Sequence, residues 1–144
     1  MNLEKLFFLR EERDLTQEDM ANIIGVSRVA ISQWETTKEI IPLDKLNKYA
    51  NYFNVSMDYI LGISNVKNYN IKNKELDRNI ISSRLVEIRK NNNLSQTALA
   101  KLLNTTHSTI SSYESGKTLI LTTFAYQICL KYKVSMDWLC GKTQ

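Results

Sequence analysis

Val55-Ser56-Met57-Asp58-Tyr59-Ile60-Leu61-Gly62 returns, about 79 positions later, as Val134-Ser135-Met136-Asp137-Trp138-Leu139-Cys140-Gly141. Working outward from this pair, Leu15-Thr16-Gln17 lies over Leu94-Ser95-Gln96, and the whole stretch Leu6 to Gly62 aligns without a gap on Leu85 to Gly141. Roughly fifteen of about 57 aligned positions are identical. Self-similarity at a fixed offset defines the unit of folding. There are two copies, and each is long enough to close a small core of its own, so the reading is tandem domains rather than a solenoid. The expected division is 1–63 for the first domain, 64–79 for a linker whose end joins the next helix, and 80–144 for the second domain.

In the first copy Leu3, Leu6 and Leu9 recur at helical spacing until Asp14 interrupts before Leu15, which predicts helix one. Thr16 is a good N-cap with Asp19 three residues on, and Met20, Ile23 and Ile24 supply the next apolar face, so helix two runs near Gln17 to Ile24. Gly25 follows where a helix ends in a left-handed residue, and the second copy has Asn104 there, the next most tolerant type. Ser27 and Thr106 are placed to cap a third helix with Ile31 and Trp34, or Ile110 and Tyr113, inward. About three residues separate helices two and three, the spacing of a helix-turn-helix, which leaves the far side of the second helix free. Pro42 opens a fourth helix with Leu46, Tyr49, Ala50 and Phe53 inward, and Ser56 caps a short fifth ending at Gly62. The fold class expected is all-α, five helices per copy.

Composition narrows the function. Hydrophobic content is 43% with 24% charge, and no apolar run approaches the ~18–20 residues of a membrane span, so a cytoplasmic protein with no membrane partner is expected. Leu6-Phe7-Phe8-Leu9 is cut short by Arg10-Glu11-Glu12-Arg13, which is not a secretory signal. Cys129 and Cys140 fall on the apolar side of the last two predicted helices, and with His107 the only histidine, neither a metal, a disulfide nor a cofactor is assigned. No nucleophile stands beside a base and no phosphate loop is present, so no enzymatic activity is expected. The net charge of +4 divides unevenly: residues 1–62 carry 7 basic and 10 acidic side chains, 63–79 carry 4 and 2, and 80–144 carry 8 and 3. A basic balance favours a polyanionic partner.

These residues resemble the phage repressor and Cro type of helix-turn-helix DNA-binding domain, the lambda-repressor-like fold, in two tandem copies. The resemblance rests on Leu15-Thr16-Gln17, Ile31, Trp34-Glu35, Lys38 and Val55 to Gly62, then on Leu94-Ser95-Gln96, Ile110, Tyr113-Glu114, Lys117 and Val134 to Gly141, and it covers about four fifths of the chain. It implies structural ion pairs between Arg10 and Glu35 and between Arg89 and Glu114. It also implies phosphate contacts from Gln17, Ser27 and Lys38 and from Gln96, Thr106 and Lys117. Recognition helices near 28–36 and 107–115 would offer Arg28, Val29, Ser32 and Gln33, then His107, Ser108, Ser111 and Ser112, to base edges. Arginine suits guanine, glutamine adenine and valine a thymine methyl, whereas the shorter second set discriminates less.

Two departures from the family pattern bear on this. Thr36-Thr37 replaces the residues that the second copy keeps as Ser115-Gly116, which calls into question the loop's backbone contact to phosphate; Leu121 and Ala125 replace Pro42 and Leu46, which predicts a different start or packing for the second copy's fourth helix. Family members place two such heads one turn of DNA apart, about 34 Å, and a connector 63–79 stretched at ~3.3 Å per residue reaches about 55 Å. The expected function is sequence-specific binding of double-stranded DNA by a bacterial or phage transcription regulator of repressor type. A protein-interaction module on the same scaffold, an antirepressor or adaptor, is the alternative, and a homodimer or protein partner stays open.

Overall fold

The computed structural model describes all residues from Met1 to Gln144 and holds ten helices: α1 (Glu4–Glu12), α2 (Gln17–Ile24), α3 (Arg28–Glu35), α4 (Leu43–Phe53), α5 (Met57–Ile60), α6 (Arg78–Asn91), α7 (Gln96–Leu102), α8 (His107–Glu114), α9 (Thr122–Tyr132) and α10 (Met136–Leu139). They fall into two units, Met1–Glu75 and Leu76–Gln144, of five helices each. The all-α, twofold architecture expected from the repeat is the one observed.

Local chemistry sets the helix ends. Leu6 and Leu9 are buried along α1 with Leu3 buried at its N-cap, and a left-handed Asp14 at φ 54° ends that segment. Thr16 and Asp19 form a reciprocal capping box at the start of α2, the Asp19 amide bonding Thr16 Oγ1 at 3.0 Å and the Thr16 amide bonding Asp19 Oδ2 at 2.9 Å. These bonds to the charged form hold the Asp19 carboxylate below its ordinary pKa. Serine caps α3, α5, α7 and α10 with its side chain, and Thr106 caps α8. The core of the first unit gathers Met20, Ile24, Ile31, Trp34, Leu46, Tyr49, Ala50 and Phe53, as the periodicity predicts, with one exception. Ile23 is 38% exposed and its counterpart Leu102 is 45% exposed; Ala21 and Ala100 take the inward place, because small residues let α2 and α7 lie close to their neighbours. Cys129 and Cys140 are both buried.

Leu121 starts α9 with φ −65° and ψ 141°, matching Pro42 at −61° and 151°, so the fourth helix of the second unit begins as the first does. Extended backbone at that place does not require proline's ring.

The division of the chain differs from expectation. Residues 63–75 are not a free linker but a strap laid on the first unit. The Ser56 amide donates to the Lys67 carbonyl at 2.6 Å, Asn47 and Asn51 donate to the Lys74 carbonyl at 2.8 and 3.1 Å, Asn68 and Asn73 bond Asn54, and Ile71 is buried. Asparagine amides satisfy the backbone of a segment that has no helix of its own. Residues 76–79 open the second unit, Asp77 capping α6 through the Asn79 amide at 2.8 Å. The extended 55 Å reach of a connector 63–79 is therefore absent.

The aspartate shared by the two repeated endings is buried in both units and is served differently. Tyr69 of the strap donates to Asp58 Oδ2 at 2.6 Å. Asp137 instead lies with Lys142, whose side chain is fully buried; desolvation lowers the Lys142 pKa, and the Asp137 charge opposes that shift. A second device recurs at equivalent places. Lys5 donates to the Tyr59 carbonyl at 2.8 Å and stands 4.2 Å over its ring, while Arg84 donates to the carbonyls of Trp138 and Thr143 and stacks 4.9 Å over Trp138. Each cation ties helix one of its unit to the end of helix five.

Candidate nucleic-acid interface

In each unit the turn between the second and third helices is built by one residue with positive φ. Gly25 (85°) and Asn104 (56°) occupy it, and the amides that follow close onto the carbonyls of Ala21 and Ala100, Val26 at 3.0 Å and Thr105 at 2.9 Å. The third helices α3 and α8 are then capped by Ser27 and Thr106, whose oxygens accept from the Ala30 and Thr109 amides at 3.2 Å. Ile31 and Trp34, and Ile110 and Tyr113, point into the cores. Only the outer faces remain for a partner.

Arg10 and Glu35 form a bidentate pair at 2.7 and 3.0 Å, and Arg89 and Glu114 another at 2.7 and 2.9 Å. The first pair is almost wholly buried, with side chains 6% and 4% exposed. A third guanidinium nitrogen donates to the Leu15 or Leu94 carbonyl, so each arginine joins helix three to the loop before helix two. The hydrogen-bonded carboxylate raises both arginine pKa values against the opposing effect of desolvation.

Both glutamines that open the second helices enter this network. Gln17 Nε2 donates to Glu35 Oε1 at 3.2 Å and Gln96 Nε2 to Glu114 Oε1 at 3.1 Å. In the first unit Arg28 Nη1 reaches Gln17 Oε1 at 3.3 Å. A continuous chain thus runs Arg10, Glu35, Gln17, Arg28 from the core to the outer face of α3. The resemblance implies a phosphate role for these glutamines, and their bond to the ion pair is a feature that the structure adds. The available signal was their identity in both copies at a constant 18-residue spacing from the glutamate.

Arg28 and Val29 are exposed, Val29 at 55%, and Ser32 and Gln33 are half-buried along the same face. On α8 His107 and Ser108 are exposed while Ser111 and Ser112 are half-buried. Ser27 and Thr106 are exposed at the helix starts, although Thr106 Oγ1 also shares a hydrogen bond with Thr109 Oγ1 at 2.9 Å. Lys38 and Lys117 are exposed just past the helix ends. The loop that carries them keeps one geometry: Thr37 takes φ 56° where Gly116 takes 77°, and the Glu39 amide reaches the Gln33 carbonyl at 3.2 Å as Thr118 reaches Ser112 at 3.3 Å. Thr37 therefore preserves the loop, with a β-branched residue held in a left-handed conformation. Divided at the structural boundary, residues 1–75 hold 10 basic and 11 acidic side chains, and 76–144 hold 9 and 4.

The comparisons with known proteins agree with this geometry. The helix-turn-helix family matches at residues 8–60 and again at 85–139. An HTH-type transcriptional regulator of Bacillus subtilis, YobD, is 34% identical over 76 residues, 53% of this chain and 68% of that protein. An HTH-type transcriptional activator of Enterococcus faecalis, BcrR, is 41% identical over 58 residues, 40% of this chain and 28% of that protein. No solved structure matches. The chain belongs to the Cro/C1-type helix-turn-helix family, carried twice. At the level of class it is a DNA-binding protein, and no helix in it is long and apolar enough to cross a membrane.

Proposed function

We propose that the chain is a transcription regulator of repressor type that reads double-stranded DNA by sequence, α3 discriminating between bases and α8 mainly anchoring. The observation that carries this reading is the outer face of α3, where Arg28 and Val29 are exposed beside Ser32 and Gln33 while the inner face is closed by Ile31 and Trp34. Arginine and glutamine at adjacent turns suit guanine and adenine edges in the major groove. The hydroxyls of Ser108, Ser111 and Ser112 on α8 offer less selective bonds, and the more basic second unit supplies attraction to phosphate. Gln17, Ser27, Lys38, Gln96, Thr106 and Lys117 ring the two helices as phosphate contacts. Because the heads differ, the preferred site has two unlike halves.

Selection of bound sequences from random duplex DNA, followed by binding at several salt concentrations, tests the proposal. An enriched asymmetric site whose affinity falls as salt rises is the expected result. Arg28→Ala then relaxes preference at one position, at a cost of about 1–3 kcal/mol, whereas Lys117→Ala weakens all sequences alike and flattens the salt slope by about one unit. Recovery of no sequence at all would overturn the proposal in favour of a protein-interaction module, an antirepressor or adaptor, whose acidic segment 1–62 faces a protein.

A further inference from the structure

The duplication supplies an internal control for which surface residues the scaffold itself requires. On α1 the outward side carries Phe7 and Phe8, 39% and 50% exposed, in edge contact at 5.4 Å between ring centroids, with Glu4, Glu11 and Glu12 exposed around them. The same places on α6 hold Val86 and Glu87, then Ser83, Lys90 and Asn91. The fold is therefore complete without aromatic rings or an acidic surround there, and the exposed pair in the first unit has another cause. Arg10 stands 5.2 Å over the Phe7 ring and is itself fixed by Glu35, so the pair is seated on a rigid support. Exposed aromatic side chains on a fixed backbone have the composition of interface centres.

A complementary surface lies on α9 of the second unit. Leu130 is 51% exposed, with Lys131 and Lys133 exposed beside it and Tyr126 half-buried one turn earlier. In the first unit the counterparts of Tyr126 and Leu130 are Asn47 and Asn51, which are covered by the strap through the Lys74 carbonyl. Leucine has no donor for such a bond, so this face of α9 is not built for a strap of that kind. It offers an apolar centre with lysines; α1 offers an apolar centre with glutamates.

We propose that the Phe7–Phe8 face of α1 docks on the Leu130 face of α9 of a second copy of this chain, through ring-to-leucine packing with Glu12 opposite Lys131 and Lys133, Glu11 being already paired with Arg10 at 3.2 Å. The contact is between unlike faces, and each copy carries both, so two copies close it twice or it continues along an open row. The proposal does not depend on the DNA reading above.

Sedimentation of the intact chain without DNA, across a range of protein concentrations and at low and high salt, tests it. The expected result is an association that strengthens with concentration and weakens with salt. Phe8→Glu installs the residue that the second unit already tolerates at this place, so the fold, checked by circular dichroism, is kept while association weakens by about 30-fold. Lys131→Glu also weakens it, and adding Glu12→Lys to Lys131→Glu restores part of the loss. A chain that stays monomeric at every concentration overturns the proposal, and so does an association indifferent to Phe8→Glu.

Discussion

Thr37 shows how a single residue carries the strain of an inherited loop. Its φ of 56° is the conformation that Gly116 adopts at 77°, and a β-carbon there crowds the following carbonyl. Thr37→Gly relieves that crowding, and after glycine's own entropic cost the first unit gains about 1 kcal/mol, read as a raised urea midpoint with unchanged slope. Unchanged or lowered stability would remove the strain argument. The ion pair behaves oppositely. Arg10→Met leaves the Glu35 carboxylate, 4% exposed, held by Gln17 without a compensating charge, and costs about 3–5 kcal/mol. Arg10→Met combined with Glu35→Leu costs less than Arg10→Met alone, because no buried charge is stranded. A double variant less stable than the single would show that Glu35 stabilises the unit through partners other than Arg10, such as Gln17.

At the scale of elements, the helices were legible because their signals are local. Thr16 with Asp19, Ser27, Thr106 and Ser56 are caps whose partners lie within three residues, and helix two was placed at its observed ends. The strap was not legible, because an Asn- and Lys-rich segment is the composition of a linker and its partners lie 10–27 positions back in the chain. Gln17 and Gln96 were half-legible: their position was right, but a bond across 18 residues to a glutamate already paired leaves no mark of its own in composition. Ile23 misled because an apolar residue next to the core face is not thereby in the core. If the strap belongs to the first unit, Tyr69→Phe removes a bond to a buried carboxylate and costs about 2 kcal/mol there without effect on the second unit. Equal loss from both units in hydrogen exchange would contradict this.

At the scale of the whole chain, each unit has its own core, helix-three ion pair and clamp between helices one and five. Residues 1–75 and 76–144 expressed separately should each fold, whereas a first fragment stopped at residue 62 loses the strap and with it the Tyr69 bond to Asp58. Joining two DNA-binding heads raises avidity, so under the proposed function the intact chain binds its site at least about 100-fold tighter than either fragment. Equal affinity for one fragment and the whole would mean a single working head. The buried aspartate adds a consequence at the level of the gene. Similar repeats in tandem invite recombination, and a crossover within the shared Val-Ser-Met-Asp text would delete one copy and join residue 58 to residue 138. In each unit the partner of that aspartate lies downstream of it, Tyr69 in one and Lys142 in the other. The shortened, one-headed product would therefore exchange the Tyr69 strap for the tail that carries Lys142, so that Asp58 would again have a downstream partner while Asn47 and Asn51 would lose the Lys74 carbonyl.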